Sequence, residues 1–359
     1  MKIEILFIFV QMDNKSKRTM ELKTKTMTGY FTEYIMQELH DYINIKEFRY
    51  LIYSTPHFKE YRKKFLNWKF NKKYSFKYYS DIEFFNYINE EIIVRGKQLS
   101  LIIRNRNDVV DVNHLGDVYS LDLSGCKNIT DVSALGKVYK LNLSHCSGII
   151  DVSSLGDVHT LNLSSCNGII DVSSLGDVHT LNLSSCNGII DIKHLGKVVN
   201  LDLCNTKIRD ISSLGNVYNL NLRLCVNILD FSGLGNNHIL NLGDTNIQNV
   251  SNLGNVYKLN LWNCTNVTEG IRHLGNCHTL ILWGMKMNIT DELIKYLGNV
   301  HTLDLSWCIY ITDDGIKHLG NCHTLNLSWC SHISKIDTLN KVNILNLSAT
   351  GLSKYSRGI

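Results

Sequence analysis

Residues 151–170 read DVSSLGDVHTLNLSSCNGII, and residues 171–190 read the same twenty letters again. Chance does not duplicate twenty positions, so the period of the chain is settled before any local motif is interpreted. Working outward from this pair, the doublet Leu161-Asn162-Leu163 recurs in both directions. Its first leucine returns at 121, 141, 161, 181, 201, 220, 240, 259, 280, 303, 325 and 345, at spacings of 19 to 23 residues. An irregular opening unit at Leu99 and Leu101 brings the count to about thirteen turns. A single proline in 359 residues agrees with a chain that is regular almost throughout, because long irregular loops recruit proline to fix their backbone.

The alternation in Leu-x-Leu points both leucines to one side and their neighbours to the other, which is a short strand. About seven apolar positions per unit face inward. Each buried leucine or isoleucine contributes roughly 1.5–3 kcal/mol, against an ordering cost of roughly 1–2 kcal/mol per residue. One unit alone cannot cover its inner face, so stability has to come from stacked neighbours. The expected fold is an α/β solenoid: one parallel strand per turn, then a short helical, 3₁₀ or loop return. Glycine after the outer leucine, as in Leu155-Gly156, is expected to supply a left-handed turn ending that return. The longest unit contains Thr290 to Gly298, read as a threonine cap, a helical turn and a glycine stop.

This pattern resembles the leucine-rich repeat family over residues 99–359, and units such as Cys308-x-x-Ile311-Thr312-Asp313 look like its cysteine-containing subclass. The resemblance implies a horseshoe with the parallel sheet on its concave face. Two 19-residue units depart from it, with Thr206 and Thr245 in place of cysteine.

Eight of the 11 cysteines (126, 146, 166, 186, 225, 264, 308 and 330) share one position of the unit and form a column. Parallel strands about 4.8 Å apart carry side chains side by side rather than face to face, so a reduced buried ladder is expected instead of disulfides. Cys277 and Cys322 replace an inward valine, and Cys204 sits on an outward position. There is no paired CxxC spacing for zinc. Reduced thiols point to the cytoplasm or nucleus. The sequons at Asn142, Asn162 and Asn182 lie on strands that a glycan would obstruct, which also argues against secretion.

The charge is unevenly placed. Residues 1–98 hold 18 Lys+Arg against 12 Asp+Glu, and the remainder 19 against 21. The basic, aromatic stretch from Tyr61 to Tyr79 carries no nucleic-acid signature, so no such partner is expected. Ile3 to Val10 is too short an apolar run for a membrane span. Residues 1–26 are read as a disordered or mis-started terminus.

Residues 27–60 change period. Phe31, Ile35, Met36, Leu39, Ile43, Phe48, Leu51 and Phe58 suggest short amphipathic helices, either a cap for the repeats or a docking module. The stretch from Phe31 through Leu39, then Tyr42-Ile43, Glu47-Phe48, Leu51 and Phe58, is similar to the F-box motif, with Thr32 where that motif has proline and Phe58 where it has tryptophan. The resemblance implies that these apolar side chains dock the adaptor subunit of a cullin-type ubiquitin ligase. Residues 61–98 are then a helical linker and N-terminal cap, with Ser80-Asp81 opening a helix through Ile82, Phe85 and Ile88.

The outward positions repeat too: His or Tyr two residues before the first leucine, Asn or Asp between the leucines, Ser after. Such a polar ladder is explained by like neighbours hydrogen-bonding along the coil. Trp262, Trp283, Trp307 and Trp329 break the monotony in four successive units and, with His278, His301 and His323, mark the candidate partner surface. No nucleophile–base pair, phosphate loop or metal motif stands out, so no catalytic residue and no cofactor are expected. The chain reads as a binding protein, similar to F-box/leucine-rich-repeat proteins including those of giant DNA viruses. That resemblance implies a ubiquitin-ligase substrate receptor in the cytosol, of the host if the chain is viral. A stand-alone scaffold or enzyme inhibitor is the alternative.

Overall fold

The computed structural model describes residues 67–93, 96, 98–285 and 289–354. Its contacts divide the chain into Met1–Lys59 and Glu60–Ile359, and every described residue belongs to the second unit. The F-box-like segment, including Phe31 to Phe58, lies outside the described residues.

Among the described residues fourteen parallel strands lie side by side in chain order. They begin with β1 (Asn67–Lys69) and β2 (Gln98–Ile102) and continue with one three-residue strand per turn from β3 (Ser120–Asp122) to β14 (Ile344–Asn346). First leucines are in register across the sheet, Leu141 with Leu161 and Leu161 with Leu181. Seven side chains of the turn at 151–170 are buried: Val152, Leu155, Val158, Leu161, Leu163, Cys166 and Ile169. Stacked turns therefore share one continuous core, which makes this a leucine-rich-repeat solenoid.

Two local devices end most of the three-residue strands. The Asn or Asp between the leucines accepts the backbone N–H two residues on, as Asn162 Oδ1 does from Ser164 at 3.0 Å. The next residue is left-handed. Asn105, Gly125, His145, Ser165, Ser185, Asn205, Leu224, Asp244, Asn263, Gly284, Trp307, Trp329 and Ala349 all have φ between 54° and 76°. The chain turns there and drops its cysteine into the core. On the far side, an Asp such as Asp151 accepts Ser153 N–H at 2.8 Å and opens the 3₁₀ return Ser153–Leu155.

The glycine after the outer leucine does a different job from the one expected. Gly156 is right-handed, with φ −61°. A Cβ on it would stand 2.5 Å from the Ser174 carbonyl of the next turn. Glycine is required by the close approach of successive returns, not by a left-handed turn. The long unit also differs: Thr290 precedes the helical turn Asp291–Ile294 without a side-chain capping bond. Thr312 does cap the next one, accepting Asp314 N–H at 3.2 Å.

The eleven cysteines are free thiols, ten of them buried and Cys204 half-buried. Each column thiol reaches back one turn to a leucine-position carbonyl: Cys146 to Leu123 at 3.2 Å, Cys166 to Leu143 at 3.1 Å, Cys186 to Leu163 at 3.0 Å. Cysteine thus fills a small apolar site while donating to a buried carbonyl. In the two short turns Thr206 and Thr245 bond the carbonyl of their own turn instead, at 2.8 and 2.7 Å. Burial pushes the Cys146, Cys166 and Cys330 thiols up to about 12, so they stay protonated and inert.

The sheet starts earlier than the leucine pattern shows, because β1 pairs with β2 ahead of the first full unit. Helices α1 (Lys72–Ser80) and α2 (Ile82–Ile88) follow β1 and close that end. Asn71 and Asp81 cap them, each accepting a backbone N–H at 3.0 Å. Phe70, Tyr74, Tyr78, Phe84 and Ile88 are buried beneath them. Ser75 ties α1 to β2, its hydroxyl accepting Ile102 N–H at 2.8 Å. Tyr74 and Tyr78, part of the basic aromatic stretch, are therefore core residues. At the opposite end Leu345 and Leu347 are only half-buried.

Candidate functional site

The face of the sheet is built of columns. The column two residues before the first leucine is a stack of rings: Tyr119, Tyr139, His159 and His179, then Tyr218, His238, Tyr257, His278, His301 and His323. Centroids of successive rings are 4.4 to 4.9 Å apart and nearly parallel. Val199 interrupts it. His238 continues the register between Tyr218 and Tyr257, a position that sequence reading passed over although the spacing from Leu240 marks it. His Nδ1 lies within hydrogen-bond distance of the next threonine hydroxyl at His278, His301 and His323, 3.3, 3.2 and 3.2 Å.

The asparagine column bonds mainly within its own turns, as Asn142, Asn162 and Asn182 show. Along the coil the column bonds Asn221 to Asp202, while Asn200 to Thr180 and Asn219 to Asn200 belong to the column just before the first leucine. The expected ladder of like neighbours is thus limited in this column to the rung from Asn221 to Asp202. Elsewhere the column serves the turn.

His301 carries a testable electrostatic consequence. Desolvation, then repulsion from His278 and His323, holds its imidazole below the ordinary value. His114, beneath Tyr79 and Phe85, is also lowered, chiefly by burial. A histidine depressed in the folded state makes its full contribution above the unfolded value of about 6.5 and loses it as pH falls toward the folded one. The thermal midpoint is therefore expected to fall between neutral pH and mild acid. His301→Tyr keeps a ring in the column, as at Tyr257, and should shrink that fall in a melting series across pH.

The four tryptophans form two different pairs. Trp262 and Trp283 stack at 4.9 Å on ordinary outward positions. The Arg223 guanidinium lies 4.1 Å over the Trp262 ring and donates through Nε to Asp244 Oδ2 at 3.1 Å. Both indoles are half-buried, and Arg223 reaches Trp262 across Gly243. Trp307 and Trp329 stack at 4.7 Å but occupy the left-handed position, with φ 62° and 64°. They are 36% and 49% exposed. A left-handed L-residue costs roughly 1–2 kcal/mol; Asn or Gly fills this position in five other turns, and His, Ser, Leu, Asp or Ala in six. Sequence spacing showed that this pair is displaced by one residue but not that the displacement changes the backbone.

Among the described residues no group of three or more His, Cys, Asp or Glu side chains is placed to hold a metal ion. No helix among them is long and apolar enough to cross a membrane.

Among solved structures, the chain is similar to an internalin from Listeria monocytogenes, with 19% identity over 72% of this chain and 88% of that one and a TM-score of 0.47. It is similar to the functional domain of InlJ from Listeria monocytogenes, which includes a cysteine ladder, with 17% identity, coverage of 70% and 63%, and a TM-score of 0.47. It is also similar to a leucine-rich-repeat protein of Leptospira interrogans, with 18% identity, coverage of 72% and 79%, and a TM-score of 0.47. No family model and no curated protein matches the sequence.

Proposed function

We propose that the chain is a non-enzymatic interaction protein that binds a protein partner on its sheet face, at the turns carrying Trp307 and Trp329. The observation that supports this most is the exposure of those two stacked indoles on a face otherwise lined by small polar side chains and rings. His278, His301 and His323, in the same turns or beside them, are proposed to border the contact.

A recess of about 470 Å³ on the return side has a single carboxylate in its lining, Asp230, and that group already accepts Ser232 N–H at 2.8 Å. Such a lining favours a binding role over a catalytic one. The outward columns are mostly Asn, Ser, Thr, His and Tyr. A phosphate backbone asks for more cations than that, so the partner is proposed to be a protein.

The F-box-like motif in residues 27–60 supports a finer reading, a substrate receptor of a cullin-type ubiquitin ligase. In it Phe31, Ile35, Met36, Leu39, Ile43, Phe48, Leu51 and Phe58 dock the adaptor while the solenoid presents the target. Helix-in-groove docking uses such a stripe. Free thiols support a reducing compartment, the cytosol or nucleus. Co-purification with the ligase adaptor tests this: wild type should retain it, and Leu39→Asp with Ile43→Asp should lose it. If wild type recovers no adaptor, the stand-alone scaffold is the better account.

A further inference from the structure

We infer that Asn167 is a self-modifying residue: it closes a cyclic imide with the Gly168 amide, releases ammonia and opens to aspartate or isoaspartate, faster than its duplicate Asn187 does. The inference is independent of the proposed partner site. Asn167-Gly168 and Asn187-Gly188 are the Asn-Gly pairs of the chain, set in identical local sequence. Both asparagines are exposed. Glycine has no Cβ to shield its nitrogen. Among the described residues, neither the Gly168 nor the Gly188 amide donates a backbone hydrogen bond. Each is therefore open to lose its proton and attack.

The two sites differ in what surrounds the amide oxygen. Asn167 Oδ1 accepts the Asn187 backbone N–H at 3.1 Å and faces Asn187 Nδ2 at 3.4 Å. Asn187 finds no such cradle, because the next turn is a residue shorter and places Lys207 there. In the reaction the Gly168 nitrogen gives its proton to solvent and bonds to Asn167 Cγ, while the carbonyl pair moves onto Oδ1. That pair returns as the Cγ–Nδ2 bond breaks, and ammonia leaves with a proton from water. Water then adds to one imide carbonyl and cleaves one C–N bond. One water is consumed and one ammonia released, with no oxidant. Donors aimed at Oδ1 stabilise the charge that develops there. At a solvated site a bond of this kind is worth about a fivefold rate difference.

The test is incubation of the full chain at neutral pH, native and in urea. Trypsin releases both sites in one peptide, Leu141 to Lys193, and electron-transfer fragmentation locates the gain of one mass unit and the isoaspartate signature. The expected result is conversion at Asn167 about fivefold faster than at Asn187 in the native chain, with equal rates in urea. Equal native rates, faster reaction at Asn187, no conversion at either site, or a difference that survives urea would each overturn the inference.

Discussion

Deleting residues 171–190 is expected to leave a folded chain one turn shorter that still melts in one transition, whereas deleting 171–180 should break the array. In the first variant Ile170 meets Asp191, the same junction that Ile190 makes in the parent. Each remaining turn keeps its register, its thiol-to-carbonyl bond and its Asx turns. In the second variant Ile170 runs straight into Leu181 and a turn loses its return. Val172, Leu175 and Val178, all buried, disappear from between two strands that still need cover. A solenoid is held by nearest-neighbour interfaces, so the damage separates a block before the cut from a block after it. The transition should split, and the weaker block should melt about 10 °C lower or more, given that each kcal/mol moves a block of this size by several degrees. Calorimetry of the two deletions beside the parent decides between interface-coupled turns and any fold in which the repeats pack otherwise.

Much of this architecture was legible in the letters, because a repeat multiplies every signal. The strand at each Leu-x-Leu, the buried thiol column and the polar face all follow from periodicity at many turns. Single events were harder to see. β1 at Asn67–Lys69 has no Leu-x-Leu, yet Trp68 pairs with Leu99 in the sheet. The letters suggest a left-handed role for Gly156, because glycine often ends helices that way. Its actual cause, the Ser174 carbonyl of the next turn, is a contact between turns that no single unit contains.

The candidate site was legible as composition and not as geometry. Tryptophan in four successive units draws attention to the turns proposed to bind. One residue of displacement separates Trp283 from Trp307 in the unit, and only the backbone shows that this moves the indole onto the left-handed residue of the turn. Leu224 at φ 62° and His145 at φ 59° carry the same strain for the same reason. Nothing in their side-chain type announces it.

The two tryptophan pairs are expected to respond in opposite directions. Changing Trp307 and Trp329 to asparagine relieves two left-handed positions at roughly 1 kcal/mol each and gives up one indole stack worth about 0.5–1.5 kcal/mol. The thermal midpoint should stay level or rise. Changing Trp262 and Trp283 to serine, the common occupant of their position, removes a stack and the Arg223 contact without relieving any strain. That midpoint should fall. Binding should sort the other way, since the exposed, strained pair is the one proposed to meet the partner, and truncating a central tryptophan costs about 2 kcal/mol or more, a factor of about 30.

The central claim is that repetition builds this molecule and that its departures from repetition bind. Its most direct measurement is the affinity of a partner isolated with the intact chain, titrated against the Trp307→Asn, Trp329→Asn variant. The account predicts affinity weakened about 30-fold or more in a protein at least as stable as its parent. Unchanged affinity in that stable variant would contradict it.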